Sequence, residues 1–331
     1  MICSSRLVVA LALLAVASQL IACCNGSDDA LPIVLIYSQG GMGYGNDLAE
    51  MIHSDPRVDA RVIVLSDPEL FKSMIYFPYV KVVVGVFNAD KDEALGRHLI
   101  NFFEGGGGVV GLGFAGWRST TGNASRDVFS INGSYYLTGK YDPDTRTFVH
   151  RLVVEEENEI NQGIGGFSAR TQRIIMHVDE ETGELVPPWA EGQVTILYRE
   201  STRSAPALVL HSGKGVCVTF AGFTGDSIEG VPTYFGRFTA QDEFRQLFSN
   251  SVFHVWNEES RFDETVARWE SESAEYESDL ADIQEDIERA SENRQLMLYL
   301  RYISSAVIAV VAIAIIYLYC FRAGRGDSVN G

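Results

Sequence analysis

The chain is short of cysteine. Five occur in 331 residues, Cys3, Cys23, Cys24, Cys217 and Cys320, and only Cys217 lies well inside the chain. That excludes a disulfide scaffold. No cysteine and histidine fall at zinc-ligand spacing, so no metal site is expected, and nothing signals a cofactor. Positive charge is scarce as well: 26 Lys and Arg stand against 44 Asp and Glu, a net charge of −18. Such a surface repels polyphosphate and excludes nucleic acid as a partner. No internal repeat and no long low-complexity linker is present. Against these absences stand 46% hydrophobic and 11% aromatic residues, the composition of a chain with a packed core.

The two ends read as membrane signals. Arg6 precedes an apolar run from Leu7 to Ala17, so residues 1–23 are expected to be an export signal. Its exit, Leu20-Ile21-Ala22-Cys23, resembles the lipobox of prokaryotic lipoproteins, which makes Cys23 a lipidation candidate; ordinary signal cleavage is the alternative. Near the other end, Ile303 to Cys320 is eighteen residues without a charge, long enough to cross about 30 Å of hydrocarbon as a transmembrane helix over 302–321. Arg322 and Arg325 in the tail, 322–331, assign it to the cytoplasmic side. The expected placement is a single pass through a cell membrane, with the body of the chain outside. Asn25, Asn123 and Asn132 each begin an Asn-x-Ser triplet and are glycosylation candidates.

Glycine and proline are missing from Glu258 to Ala323, and Glu258 to Arg294 holds fourteen acids against four arginines. Phe262, Val266, Trp269, Ser273, Tyr276, Leu280, Ile283, Ile287 and Ala290 follow one another at spacings of four and three. This heptad seam predicts an acidic coiled-coil stalk over 258–301 and a homo-oligomer formed through it. Packing of the seam on the globular part is the alternative.

The middle, 31–257, is expected to be one domain. Ile33–Tyr37 is a short continuous apolar run that reads as a buried strand, and Val62–Leu65, Val80–Val86 (apolar except for Lys81) and Val109–Leu112 read as further strands. Helical spacing over Asp47–Ile52 and Asp90–Glu104 separates some of them. Alternation of this kind predicts an α/β fold, a doubly wound and mostly parallel sheet. The second half adds strand-like runs at Tyr135–Tyr141, Phe148–Val154, Gln172–Val178, Val194–Tyr198, Ala207–His211 and Gly215–Ala221, then an amphipathic helix over Phe244–Trp256.

In such sheets ligands sit beyond the carboxyl ends of the strands. The turn after the first strand offers Gln39, Gly40, Gly41 and Gly43, whose backbone N–H groups suit an anion or a sugar hydroxyl. A plain tight turn is the alternative. Gly113, Phe114, Trp117 and Arg118 would complete the site: a tryptophan stacks on a sugar ring and an arginine clamps an anion. Local packing is the alternative for these.

Three segments, in order, resemble the ThuA-like family of the class I glutamine amidotransferase-like superfamily. They are Leu99 to Gly116 (a helix, glycine break, strand and elbow), Asn158 to Phe167, and Pro206 to Gly222. The resemblance implies a flavodoxin-like sheet with a reactive residue at the elbow. Gly113 and Phe114 occupy that turn here. Asn158-Glu159 stands where the family has His-Pro, Thr171-Gln172 where an acidic pair follows the phenylalanine, and Gly222-Phe223 where it has Gly-His. No catalytic residue is therefore expected. The leading expectation is a membrane-anchored binding or assembly module that recognises an envelope glycan, a small ligand or a partner protein. A carbohydrate-modifying enzyme using the strand-end cleft and a purely structural oligomerisation scaffold stay open as alternatives.

Overall fold

The computed structural model describes residues 31–39, 44–77, 79–88, 92–144, 147–188, 193–224 and 238–257, all within one unit of the chain, Met1–Val266. The first half alternates β1 (Ile33–Ser38), α1 (Tyr44–His53), β2 (Arg61–Leu65), α2 (Pro68–Met74), β3 (Val80–Phe87), α3 (Glu93–Glu104) and β4 (Gly108–Gly113). Local chemistry fixes the helix ends. Asp67 accepts hydrogen bonds from the Glu69 and Leu70 N–H groups and Pro68 opens α2, where its missing N–H costs nothing. Asp92 caps α3 through the Leu95 N–H, and Gly105 closes that helix.

Two single turns follow, α4 (Arg118–Thr121) and α5 (Ala124–Asp127). The chain then runs through β5 (Tyr135–Thr138), β6 (Lys140–Asp142), β7 (Thr147–Val154), β8 (Phe167–Ala169) and β9 (Arg173–Val178). After these come β10 (Leu185–Val186), β11 (Gln193–Glu200), β12 (Pro206–Ser212), β13 (Val216–Phe220), β14 (Gly222–Thr224) and α6 (Asp242–Asn257).

The fourteen strands form one mixed sheet. Strands β2, β1, β3, β4 and β13 lie side by side and parallel. From β13 outward, β12, β11, β7 and β6 are antiparallel. A smaller antiparallel flap of β14, β9, β5 and β10 starts at the end of β4, where Gly222 pairs with Gly113. The expectation of a doubly wound, mostly parallel sheet is therefore corrected. Among the described residues no helix lies between Asp127 and Asp242, and strands that meet without crossover helices pair antiparallel through short turns, such as the one between β12 and β13.

The core has two layers, one on each face of the sheet. Val34, Ile36, Val84, Val110 and Leu112 pack with α1 and α6 on one face. Ile33, Leu35, Tyr37, Val83 and Val109 pack with α2, α3 and Phe129 on the other. Alternate residues of one strand feed opposite layers, which is why β1 reads as an unbroken apolar run. Cys217 is fully buried in β13, and burial pushes its thiol up to about 12. It is an inert core residue.

The expected single pass through a cell membrane, with the body outside, is corrected too. Among the described residues no helix is long and apolar enough to cross a membrane. The longest of them, α6, has 16 residues, rises about 24 Å and carries Asp242, Glu243 and Arg245. The segments expected as signal (1–23), helical stalk (258–301), transmembrane helix (302–321) and tail (322–331) lie outside the described residues.

Candidate functional site

The site is built where β4 stops. Gly113 has a φ of +66°, and a Cβ there would lie 2.3 Å from the Phe87 carbonyl oxygen at the end of β3. Only glycine permits both the left-handed backbone and this approach. The next residue, Phe114, donates its N–H to that same carbonyl at 2.9 Å, and the Trp117 N–H returns to the Phe114 carbonyl at 3.0 Å. Four residues thus reverse the chain and deliver Trp117 and Arg118 to the start of α4.

The Phe114 side chain is buried and forms the floor. Trp117 stands edge-on to it, with centroids 5.9 Å apart and planes at 88°, and lies 6.0 Å from Tyr136 of β5. The guanidinium of Arg173, at the start of β9, sits 4.3 Å over the Tyr136 ring and 5.8 Å from Phe114. Each ring face attracts the cation by about 0.5–2 kcal/mol according to its exposure. Arg118 is more exposed and lies 4.0 Å from Glu180, an ion pair of little energetic weight.

Of the expected site residues, Gly113, Phe114, Trp117 and Arg118 come together on this turn. Gln39 is buried at the end of β1, where its Oε1 accepts the Asn88 N–H at 2.8 Å. The Asn88 carbonyl in turn accepts from the Thr120 hydroxyl at 3.4 Å, which ties Gln39 to α4. Gly40, Gly41 and Gly43 lie outside the described residues, as do Cys23 and Asn25. Asn123 is exposed, whereas Asn132 is half-buried with its Oδ1 3.3 Å from the Ser125 hydroxyl. Tyr136 and Arg173 were not expected at the site. They reach it through antiparallel pairing of β5 with β9, and the one local signal is an aromatic pair, Tyr135-Tyr136, in a strand-like run.

The hydroxyl and imidazole groups beside the turn are engaged by main-chain carbonyls. The hydroxyl of Thr121 donates to the Ala115 carbonyl at 2.8 Å and is held in the turn. His177 lies nearby on β9, but its Nδ1 donates to the Asn132 carbonyl at 2.7 Å. A protonated Nδ1 cannot accept from Ser134, whose Oγ is 3.5 Å away, so these two are not a nucleophile and its base. Where the resembled family has a histidine, Phe223 adopts a φ of +58° and buries its ring among Phe220, Phe238 and Phe244. The glycine before it, Gly222, has a φ of +115°, and a Cβ there would lie 2.1 Å from the Arg173 carbonyl.

The segment Asn158–Phe167 forms a separate polar loop. Asn161 accepts the Asn158 N–H at 2.7 Å and donates to the Glu156 carbonyl at 2.8 Å. Tyr198 donates to the Ile164 carbonyl at 2.7 Å, and burial pushes its phenol up to about 12. Glu159 is hydrogen-bonded to His254 of α6. The loop borders a cleft of about 390 Å³ lined by Glu157, Asn158, Glu159, Asn161 and Gln162. Among the described residues no group of three or more His, Cys, Asp or Glu is placed to hold a metal ion.

No family model matches the sequence, and no curated protein matches it. Solved structures do. A protein from Salmonella typhimurium LT2, described as cytoplasmic, is 11% identical with a TM-score of 0.43 over 68% of this chain and 98% of its own. A β-galactosidase from Bacillus circulans sp. alkalophilus is 11% identical with a TM-score of 0.43, over 68% of this chain and 31% of its own. A protein from Bacteroides uniformis is 14% identical with a TM-score of 0.48, over 72% of this chain and 98% of its own, and it is described as ThuA-like, the family that the sequence resembles.

Proposed function

We propose that this domain is a binding module that recognises its ligand on the strand-end surface formed by Phe114, Trp117, Tyr136 and Arg173, with no covalent chemistry at the elbow. The observation that carries this reading is the Arg173 guanidinium stacked over Tyr136 beside Trp117. Rings and a guanidinium recognise flat or anionic groups by stacking and charge. The elbow itself offers glycine and a buried phenylalanine.

The test is a binding titration of the full chain with sugars, small carboxylic acids and peptides, followed by intrinsic fluorescence. A ligand of this surface loses about tenfold or more in affinity on Trp117→Ala, equivalent to about 1.4 kcal/mol, with the urea midpoint little changed. A ligand whose affinity ignores Trp117→Ala, or that is consumed during the titration, would overturn the reading.

A further inference from the structure

Strand β5 is an edge that begins to be paired and is then left open. Along Tyr135–Thr138 it pairs with β9 on one side only, among the described residues. It is also poorly covered. Tyr135 is 47% and Tyr136 44% exposed, although successive residues of a strand point to opposite faces, and Thr138 is exposed as well. The strand holds no charge, no proline and no bulge, the devices that keep free edges unpaired.

On the other side, pairing starts just before the strand does. Gly133 forms a parallel bridge with Trp117. The Gly133 N–H donates to the Gly116 carbonyl at 2.7 Å and the Arg118 N–H donates to the Gly133 carbonyl at 2.9 Å. At Arg118 the chain turns into α4, so this neighbour leaves after one bridge and the rest of the edge continues without it.

We propose that the open edge of β5 takes an extended, acidic peptide segment of a partner protein as an added strand, running on from Trp117. This rests on the binding-module reading and names its ligand class. Backbone pairing along an edge supplies affinity, and alternate side chains supply selectivity. The charge fits an acidic segment. In a chain of net charge −18, this edge is flanked by Arg118, by Arg173 opposite Thr138 and by Lys140 two residues on. Glu180, 4.0 Å from Arg118, is the acid that a ligand carboxylate would displace. Arg173, Tyr136 and Trp117 share one face of the sheet, so an apolar or aromatic residue two positions from the acid that faces Arg173 would meet the two rings.

Fluorescence anisotropy on the full chain tests this with three labelled heptapeptides: a Glu/Leu peptide with Glu and Leu alternating on one face and Thr between them, a Lys/Leu peptide with Lys in place of Glu, and the Glu/Leu peptide N-methylated at alternate amides. The expected result is binding of the first, with at least about tenfold weaker binding of the other two. Arg118→Glu weakens the first about tenfold. Equal binding of the N-methylated peptide overturns strand addition. Preference for the Lys/Leu peptide overturns the charge assignment. Self-association of the chain that Tyr136→Pro abolishes, while no peptide binds, assigns the edge to a second copy and overturns the proposal. A small sugar or acid that binds in a Trp117-dependent way while no peptide binds refutes the peptide alone and leaves the binding module standing.

Discussion

Strands β1 and β5 both carry tyrosine and aliphatic residues, yet one is buried along its whole length and the other is exposed along most of it. All six residues of β1 are buried, and none of the four in β5 is. Residue type does not separate them; cover does. Strand β1 has a neighbour on each edge and a helical layer on each face, whereas β5 has one neighbouring strand among the described residues. The parallel half is thus a scaffold, and the flap that grows from the end of β4 carries the accessible side chains. A rigid sheet positioning a less stable binding rim is the usual division of labour in such domains.

The sharpest way to break this comparison is to truncate one side chain in each strand. Leu35→Ala in β1 should cost about 3 kcal/mol through lost burial and a residual cavity. Tyr135→Ala in β5 should cost under about 0.5 kcal/mol. Urea unfolding of both variants measures the difference, and equal costs would mean that the flap is as well covered as the core.

Acid should separate the halves next. Strands β1, β3 and β4 contain no carboxylate or imidazole, but the antiparallel half buries His150 with Glu200, Nδ1 and Oε1 4.0 Å apart. Burial lowers the His150 pKa below its usual 6.5 and outweighs the opposing pull of the Gln172 carbonyl and Glu200. The unfolded chain therefore takes up this proton first. Stability is full above about pH 6.5 and falls as the pH drops below it, with a slope of at most about 1.4 kcal/mol per pH unit from this residue. His150→Phe should flatten the slope in a pH series of urea midpoints.

A more local effect concerns the Asn158–Phe167 loop, which resembles a family segment but is held by polar contacts. Tyr198→Phe removes the hydrogen bond to the Ile164 carbonyl and should cost about 1 kcal/mol. Faster amide exchange, confined to this loop and its flanks, would accompany it.

The legible part of the fold is the part with two-sided burial. Apolar runs at Ile33–Tyr37, Val80–Val86 (broken only by the half-buried Lys81) and Val109–Leu112 fall within β1, β3 and β4, because residues buried in either layer are apolar. Direction was not legible in the second half. A run such as Ala207–His211 fits a parallel or an antiparallel neighbour equally well, and only the absence of a helix between such runs distinguishes the two. The run Tyr135–Tyr141 conceals a break at Gly139, after which β6 leaves for β7. At the site, Gly113 to Arg118 could be found because they are contiguous. Tyr136 and Arg173 could not, since cross-strand register, not sequence distance, sets them side by side.

The glycine at the end of β4 also constrains the history open to this chain. Where the resembled enzymes place their reactive residue, the space a side chain would need at 113 is occupied by the Phe87 main chain. At 114 the side chain is already committed to the interior. Cysteine or histidine at 113 would strain the turn, and at 114 would empty the floor. The elbow behaves as a latch: any side chain at 113 would first require the adjacent strand to withdraw.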